Sequence, residues 1–155
     1  MEHFHSVHIR AFLFDIDFID RFKSQVSLLC GSEFSDNEKK GIKLQLQEIR
    51  EGVDKPFNLL SVSITRKKSV NEVKRAFANN LSASLKKQIL ETLESRLDDE
   101  YRFFLRFDLH EFLKGNLKLI DGGECVHLTL PVACYPKTRT ASISSIKDYF
   151  EKYGN

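Results

Sequence analysis

Hydrophobic and polar residues alternate along several stretches of the chain, which is the pattern of strands that bury one face. The alternation predicts a strand at 6–14, another in the segment FNLLSVSIT that follows Pro56, and a third at 101–108, where the pattern is clearest. A weaker alternation predicts a further strand at 42–47. The polar segment 32–40 has no periodicity and predicts a surface loop.

Apolar residues recur at helical spacing in four other segments. A first helix is predicted at about 18–30, with Asp17 as its cap and Gly31 as its stop. A second is predicted to start at a capping box formed by Ser69 and Glu72 and to end at Asn79 and Asn80. The last two are predicted from apolar stripes, one ending at the acidic 98–100 and one at Gly154: Leu85, Ile89, Leu93 and Leu97, then Ile143, Ile146, Phe150 and Tyr153.

Residues 116–120 and 126–132 flank the turn sequence Asp-Gly-Gly, which predicts a hairpin. Pro131 predicts that the second arm is an edge strand or contains a bulge. Strands and helices do not alternate regularly enough for a doubly wound parallel sheet. We therefore expect an α+β fold with a mainly antiparallel sheet, helices packed on one face, and the other face partly open.

Length and composition are those of one folded domain spanning 1–155. No apolar run is long enough to cross a bilayer, and the first residues lack the regions of a secretory signal, so we expect a cytoplasmic protein without a membrane partner. Cys30, Cys125 and Cys134 are widely spaced and are predicted to be small buried residues. No cofactor or metal is expected.

The net charge of +2 conceals an uneven distribution of charge. Residues 54–88 contain eight basic and two acidic side chains, whereas residues 89–124 contain nine acidic and five basic ones. The basic segment includes a turn and the helix that follows it, with Arg66, Lys67, Lys68, Lys74 and Arg75. Clusters of this size also occur on ordinary solvated helix faces, so the cluster alone is weak support for nucleic-acid binding.

Two arrangements could indicate an enzyme or a metal site. Asp15 and Asp17 follow an apolar strand, which resembles the first motif of haloacid-dehalogenase-type phosphotransferases and would imply Asp15 as nucleophile beside magnesium. Phe18 and Ile19 stand where that family has Gly-Thr, so roles in a turn and a helix cap are favoured. The histidines at 3, 5 and 8 lack the spacing of a helical metal site and are expected at the surface. We therefore predict that the chain is not an enzyme.

The polar positions of two strands combine cations with phenylalanine. Strand 101–108 offers Arg102, Phe104 and Arg106, and the first strand offers His8, Arg10 and Phe12. If the strands are neighbours and these faces coincide, the sheet would present rings that stack on bases and cations that contact phosphates. Alternatively, the rings belong to the core and the arginines pair with Asp98, Asp99 or Glu111.

Several segments together resemble an archaeal family of RNA-binding, exosome-associated proteins, once classed as a domain of unknown function. The resemblance is carried by FFLRFD at 103–108, LIDGG at 119–123, VHLTLPV at 126–132 and ACYP at 133–136. It implies a fold like that of the large-subunit ribosomal protein that binds 5S RNA, and a role in RNA processing or degradation without nuclease activity.

From the charge pattern and this resemblance we predict the residues that contact RNA. They are Arg10, Arg66, Lys67, Lys68, Lys74, Arg75, Arg102, Phe104, Arg106, Lys137 and Arg139. The expected partners are RNA and exosome-associated or ribosome-associated proteins. The alternative is a protein-interaction module, or a homodimer, that uses the open face of the sheet.

Overall fold

The computed structural model describes residues 2–30 and 41–153. Within them, five strands form one antiparallel sheet in the order β2-β3-β1-β5-β4. The strands are β1 (Val7–Leu13), β2 (Ile42–Ile49), β3 (Phe57–Ile64), β4 (Arg102–Asp108) and β5 (Cys125–Pro131). The helices are α1 (Asp17–Cys30), α2 (Lys67–Asn79), α3 (Ala83–Glu91), α4 (Leu109–Leu113) and α5 (Arg139–Lys152). The α+β prediction with an antiparallel sheet is confirmed.

One face of the sheet forms the core, because every second residue of the central strands is apolar and buried. Val7, Ile9, Ala11 and Leu13 of β1 pack there with apolar residues of the helices, among them Phe22, Ile89 and Ile146. The alternate positions of the strands are half-buried or exposed. We call this second surface the open face; its central residues are His8, Arg10, Phe12, Phe104, Arg106, His127 and Thr129. The predicted division into a covered and an open face is therefore confirmed.

The hairpin predicted at 116–132 is wrong, because its two arms lie on opposite sides of β4. Leu119 forms an isolated bridge with Phe107, whereas β5 pairs along the other edge of β4. β5 is consequently an interior strand between β1 and β4, and the edge position predicted from Pro131 is also wrong. Pro131 is the last residue of β5, where its carbonyl accepts a hydrogen bond from the His5 backbone at 3.0 Å.

Two helix boundaries differ from the predicted ones, the start of α2 and the end of α3. Arg66 is the N-cap of α2, so Ser69 lies buried inside the first turn rather than capping it. α3 begins after Ser82, whose hydroxyl accepts from the Leu85 backbone, and ends at Glu91. Leu93 and Leu97 nevertheless reach the core, from either side of a 3₁₀ turn at Glu94–Arg96. The apolar stripe thus identified core residues correctly but overestimated the length of the helix.

Around α1 and α4 the polar caps also differ from expectation. α1 starts at Asp17 itself, and the carboxylate of Asp15 accepts a hydrogen bond from the Asp17 backbone at 3.0 Å. α4, which was not predicted, is capped by Asp108, whose carboxylate accepts from the Glu111 backbone at 2.8 Å. The predicted stops Gly31 and Gly154, and the predicted loop at 32–40, lie outside the described residues.

The burial predicted for one histidine and two cysteines is wrong. His3 is 0% exposed rather than a surface residue, and its Nε2 lies 2.7 Å from Asp148 Oδ2. Cys125 and Cys134 are only half-buried. Among residues 2–30 and 41–153, none of the helices has the length and apolar character that crossing a membrane requires.

Candidate functional site

Three residues on neighbouring strands form a row across the open face. His127 of β5 lies in register with Arg10 of β1 on one side and with Arg106 of β4 on the other. Both arginines are exposed. The two strands that carry them are not neighbours, because β5 separates them, but their polar faces coincide. Of the two conditions set by the sequence analysis, the second is therefore met and the first is not. We call Arg10, His127 and Arg106 the cationic row.

Burial and two neighbouring charges favour the neutral form of His127, the middle residue of this row. Partial burial lowers the pKa of His127, and the positive charges of Arg106 and Arg10 lower it further. Its Nε2 lies 3.1 Å from Cys125 Sγ. The row therefore holds two permanent positive charges, one on each side of a neutral imidazole. An anion bound to the row would offset the repulsion between these charges and an imidazolium, so that His127 could take up a proton and add a third positive charge.

Aromatic rings lie on both sides of the cationic row. Phe12 is 38% exposed, and its ring centroid lies 5.4 Å from that of Phe57 and 6.3 Å from that of His127. Phe104 is half-buried, and the Arg102 guanidinium lies 5.7 Å from its ring centroid. Strand spacing and rise place these two phenylalanines roughly 16 Å apart, diagonally across the row. Neither ring belongs to the core, so the alternative that both are core residues is wrong.

Three members of this surface, Phe14, Phe57 and His127, were not predicted from the sequence. Phe57 joins Phe12 to Phe14, which is 43% exposed and has Lys55 Nζ 5.4 Å from its ring centroid. His127 was also missed, although it occupies the polar phase between Val126 and Leu128. Phe14 continues the alternation that places Phe12 on the open face, so Phe14 and His127 both had a signal in the sequence.

The arginines of β4 differ in how they are paired. Arg102 contacts Asp98 at 2.9 Å and Glu100 at 3.2 Å, as the alternative interpretation partly expected. Although burial acts to raise it, hydrogen bonds from Arg102 hold the pKa of Asp98 below its usual range. Arg106 instead donates to the backbone carbonyl of Asp121 at 3.5 Å. Among open-face positions of the five described strands, Asp108 is the one carboxylate, and it caps α4, so this face is positively charged.

The predicted basic cluster is divided between two places. Arg66, Lys67 and Lys68 are exposed where β3 leads into α2, at one end of the sheet. Lys74 is only 3% exposed, and its Nζ lies 5.6 Å from the ring centroid of Tyr153. Arg75 is exposed on α2, in the helix layer. The burial of Lys74 means that it does not lie on a common basic surface with the turn.

The last two predicted contacts follow β5. Lys137 is exposed, close in sequence to Tyr135, which is 98% exposed. Arg139 donates to the backbone carbonyls of Leu97 at 3.1 Å and Glu94 at 2.6 Å. Arg139 therefore ties the start of α5 to the 3₁₀ turn.

No group of three or more histidine, cysteine, aspartate or glutamate side chains within the described ranges has the arrangement of a metal site. The carboxylate of Asp15 accepts from the backbone of Asp17, which is the local turn geometry that the sequence suggested.

A family model described as RNA binding matches residues 6–132. The chain belongs to this RNA-binding family. The matched segment includes all five strands and the whole cationic row, whereas Lys137 and Arg139 lie beyond it. RNA-binding protein PAB1135 of Pyrococcus abyssi is similar to the chain, with 20% identity over 147 residues, covering 95% of this chain and 94% of that protein.

Solved structures with the same fold come from other archaea. Protein AF2318 of Archaeglobus fulgidus has a TM-score of 0.77 at 19% identity, covering 94% of this chain and 99% of that chain. Mth689 of Methanothermobacter thermautotrophicus has a TM-score of 0.74 at 16% identity, covering 96% and 99%. At such identities the similarity shows the fold alone. The likeness of the RNA-binding family to the ribosomal protein that binds 5S RNA stays a prediction.

Proposed function

We propose that this member of the RNA-binding family is a non-catalytic protein that contacts RNA with its open face. The observation that carries the proposal is the cationic row flanked by Phe12 and Phe104. Exposed guanidiniums form strong charge-assisted hydrogen bonds with phosphate oxygens. Exposed aromatic rings stack on bases irrespective of their identity. The row would hold the RNA backbone while the two rings hold bases on either side of it.

The RNA segment in contact is an unpaired one. Bases inside an A-form duplex are stacked on each other and face a groove that side chains reach poorly, whereas bases in loops and bulges can be splayed onto a protein surface. Phe12 and Phe104 present their rings on a sheet rather than on a protruding loop. Such rings reach only bases that have already left the helical stack.

The basic turn extends this surface. Arg66, Lys67 and Lys68 follow β3, and three strand spacings, on the order of 15 Å, separate β3 from β4. Lys43 of β2 is exposed on the open face opposite Ser63, near the end of β3 that leads into the turn. We assign these residues to phosphate contacts outside the row.

Salt dependence tests the proposal, because every phosphate that a cation neutralises releases condensed counterions. The slope of log K against log salt is near −0.7 per phosphate for a single strand. The wild-type protein should bind single-stranded or loop-containing RNA with a clear negative slope. A combined Arg66→Glu, Lys67→Glu and Arg106→Glu variant should flatten that slope and keep its melting temperature, since all three side chains are exposed.

The matched control makes the same change in net charge on the opposite side of the protein. Lys87→Glu, Lys114→Glu and Lys147→Glu combine three exposed lysines of the helix side. This variant should keep most of the wild-type slope. Absence of RNA binding at low salt, together with a dimer whose affinity barely changes with ionic strength, would replace the RNA proposal with a homodimer that uses the open face.

We also propose that the RNA contact serves RNA processing or degradation, together with exosome-associated or ribosome-associated proteins. This rests on the family resemblance. Affinity purification with both RNA and protein identified tests it, and enrichment of neither class of partner would count against it. A metal-dependent nuclease or phosphatase rate that disappears in Asp15→Asn would overturn the non-catalytic assignment.

A further inference from the structure

A pocket of about 320 Å³ opens beside the cationic row, at the outer edge of β4. Two short segments bond to this edge and leave a gap between them: the Asp98 backbone donates to the Arg102 carbonyl, and the Ile120 backbone donates to the Arg106 carbonyl. Leu97 pairs with Phe103 on one side of the gap and Leu119 with Phe107 on the other. Because the carbonyls of alternate residues in a strand point the same way, the C=O of Phe104 points into the gap. The pocket is thus framed by β4 backbone and lies directly beside the half-buried ring of Phe104.

The side chains that line this pocket include two guanidiniums and an available carboxylate. Arg96 donates through its Nε to Thr92 Oγ1 at 2.8 Å, which fixes one end of its guanidinium. Partial burial lowers the pKa of Arg96, the charge of Asp121 raises it, and Arg106 lowers it, so the three groups interact electrostatically. Asp98 also lines the pocket, but its carboxylate is used by Arg102 and by the Glu100 backbone. Within the described residues, the carboxylate of Asp121 accepts no hydrogen bond from a side chain or from the backbone, so it is available to a ligand.

We propose that this pocket binds one guanine base of the RNA, an inference that rests on the proposed function. Guanine carries two adjacent acceptors, O6 and N7, which match the paired donors of a guanidinium, and an amino group at N2 that donates to a carboxylate. Arg96 and Asp121 would make these contacts, and the ring of Phe104 would stack on the base. Adenine presents a donor where guanine has O6, so it would face a guanidinium with the wrong group.

Arg106 connects this pocket to the rest of the surface, since it lines the pocket and also ends the cationic row. A guanine in the pocket would place its own phosphate toward the row. The neighbouring nucleotides would then cross His127 and Arg10 toward Phe12. The pocket would give a preference for one base to a surface whose other contacts do not depend on the RNA sequence.

The test uses oligouridines that carry one central guanine, inosine or adenine, titrated against the intact protein. The guanine oligonucleotide should bind about tenfold more tightly than the adenine one, as expected for a good bidentate base contact. Inosine keeps O6 and N7 but lacks the N2 amino group, so its affinity should be intermediate. Asp121→Asn and Arg96→Gln should each reduce the ratio of guanine to adenine affinity toward one.

The matched control is Asp99→Asn, which removes the same charge from an exposed residue outside the pocket lining. It should raise the affinity for all three oligonucleotides alike and leave the ratio unchanged. Equal binding of the three by wild-type protein, with a normal salt slope, overturns the guanine assignment and leaves the proposed function standing. Failure to bind any of them at low salt overturns the proposed function itself.

Discussion

Phe103 and Phe104 are consecutive residues of β4 whose rings lie on opposite faces of the sheet. Phe103 is 0% exposed, and its ring centroid lies 6.2 Å from that of Phe150 in α5. Phe104 is half-buried on the open face, beside Arg102. The same side chain at adjacent positions thus serves packing in one case and is available to a ligand in the other.

Alanine substitution should therefore reduce RNA affinity at one of these positions and stability at the other. Phe104→Ala should weaken RNA binding by about 1–3 kcal/mol, the value for loss of one base-stacking ring, with little change in stability. Phe103→Ala should instead lower the free energy of unfolding by about 3–5 kcal/mol, because it leaves a cavity in the core. Thermal melts and RNA titrations on both variants measure this, and a large stability loss in Phe104→Ala would contradict the assignment of its ring to the open face.

RNA affinity should rise as the pH falls from 7 through the lowered pKa of His127. Burial and the two flanking arginines keep this imidazole neutral in the free protein. A phosphate bound to the cationic row favours the imidazolium, so the complex takes up a proton that the free protein does not hold. One proton allows at most about a tenfold gain in affinity per pH unit. Binding titrations at a series of pH values below about 6.5 measure the effect.

His127→Gln should remove most of this pH dependence. His8→Gln is the matched control, because His8 lies on the same face, where its ring nitrogens contact Ser6 at 2.8 Å and Ser63 at 3.1 Å. Folding has the opposite sign: a histidine whose pKa is lower in the folded protein is protonated first in the unfolded chain, so its contribution to stability is lost as the pH falls below about 6.5. Melts at each pH should establish where the protein stays folded. An affinity that is flat with pH in the wild type would contradict the prediction.

Gly41 should tolerate substitution less well than Gly52, although both have a positive φ. A Cβ at Gly41 would lie 2.6 Å from Arg66 Cβ, whereas nothing lies within 4 Å of one at Gly52. Gly52→Ala should therefore cost about 1–2 kcal/mol, the backbone strain alone. Gly41→Ala should cost more, because Arg66 must also move. Chemical denaturation of the two variants compares them, and equal costs would show that the contact with Arg66 relaxes freely.

The period-two pattern predicted most of the strands and, with them, the open face. Arg10, Phe12, Phe104 and Arg106 lie where their alternation with buried residues placed them. The cause is local: a strand that buries every second residue leaves the others on one common surface. Pairing of Arg102 with Asp98 was within reach of sequence reasoning for the same reason, since the two residues are close in the chain.

Strand order could not be predicted, because it depends on which strands meet across the whole chain. Leu119 pairs with Phe107 rather than with the strand after its own turn, and only that arrangement places His127 between two arginines. The pocket at Arg96 and Asp121 likewise needs a 3₁₀ turn and a loop to reach the same edge of β4. The buried position of His3 depends on Asp148, which is 145 residues away.

The central position of β1 has a consequence for folding. Its partners are β3 and β5, and the second pairing joins Ile9 to Leu128, across most of the sequence. Contacts of such separation slow folding, because a long loop must close before they form. A chain emerging from the ribosome can assemble β1, β3 and β2 early, but the other edge of β1 stays unpaired until residue 131 is available. Until then the cationic row is incomplete, and an unpaired edge of β1 is exposed in its place, where another chain could pair with it.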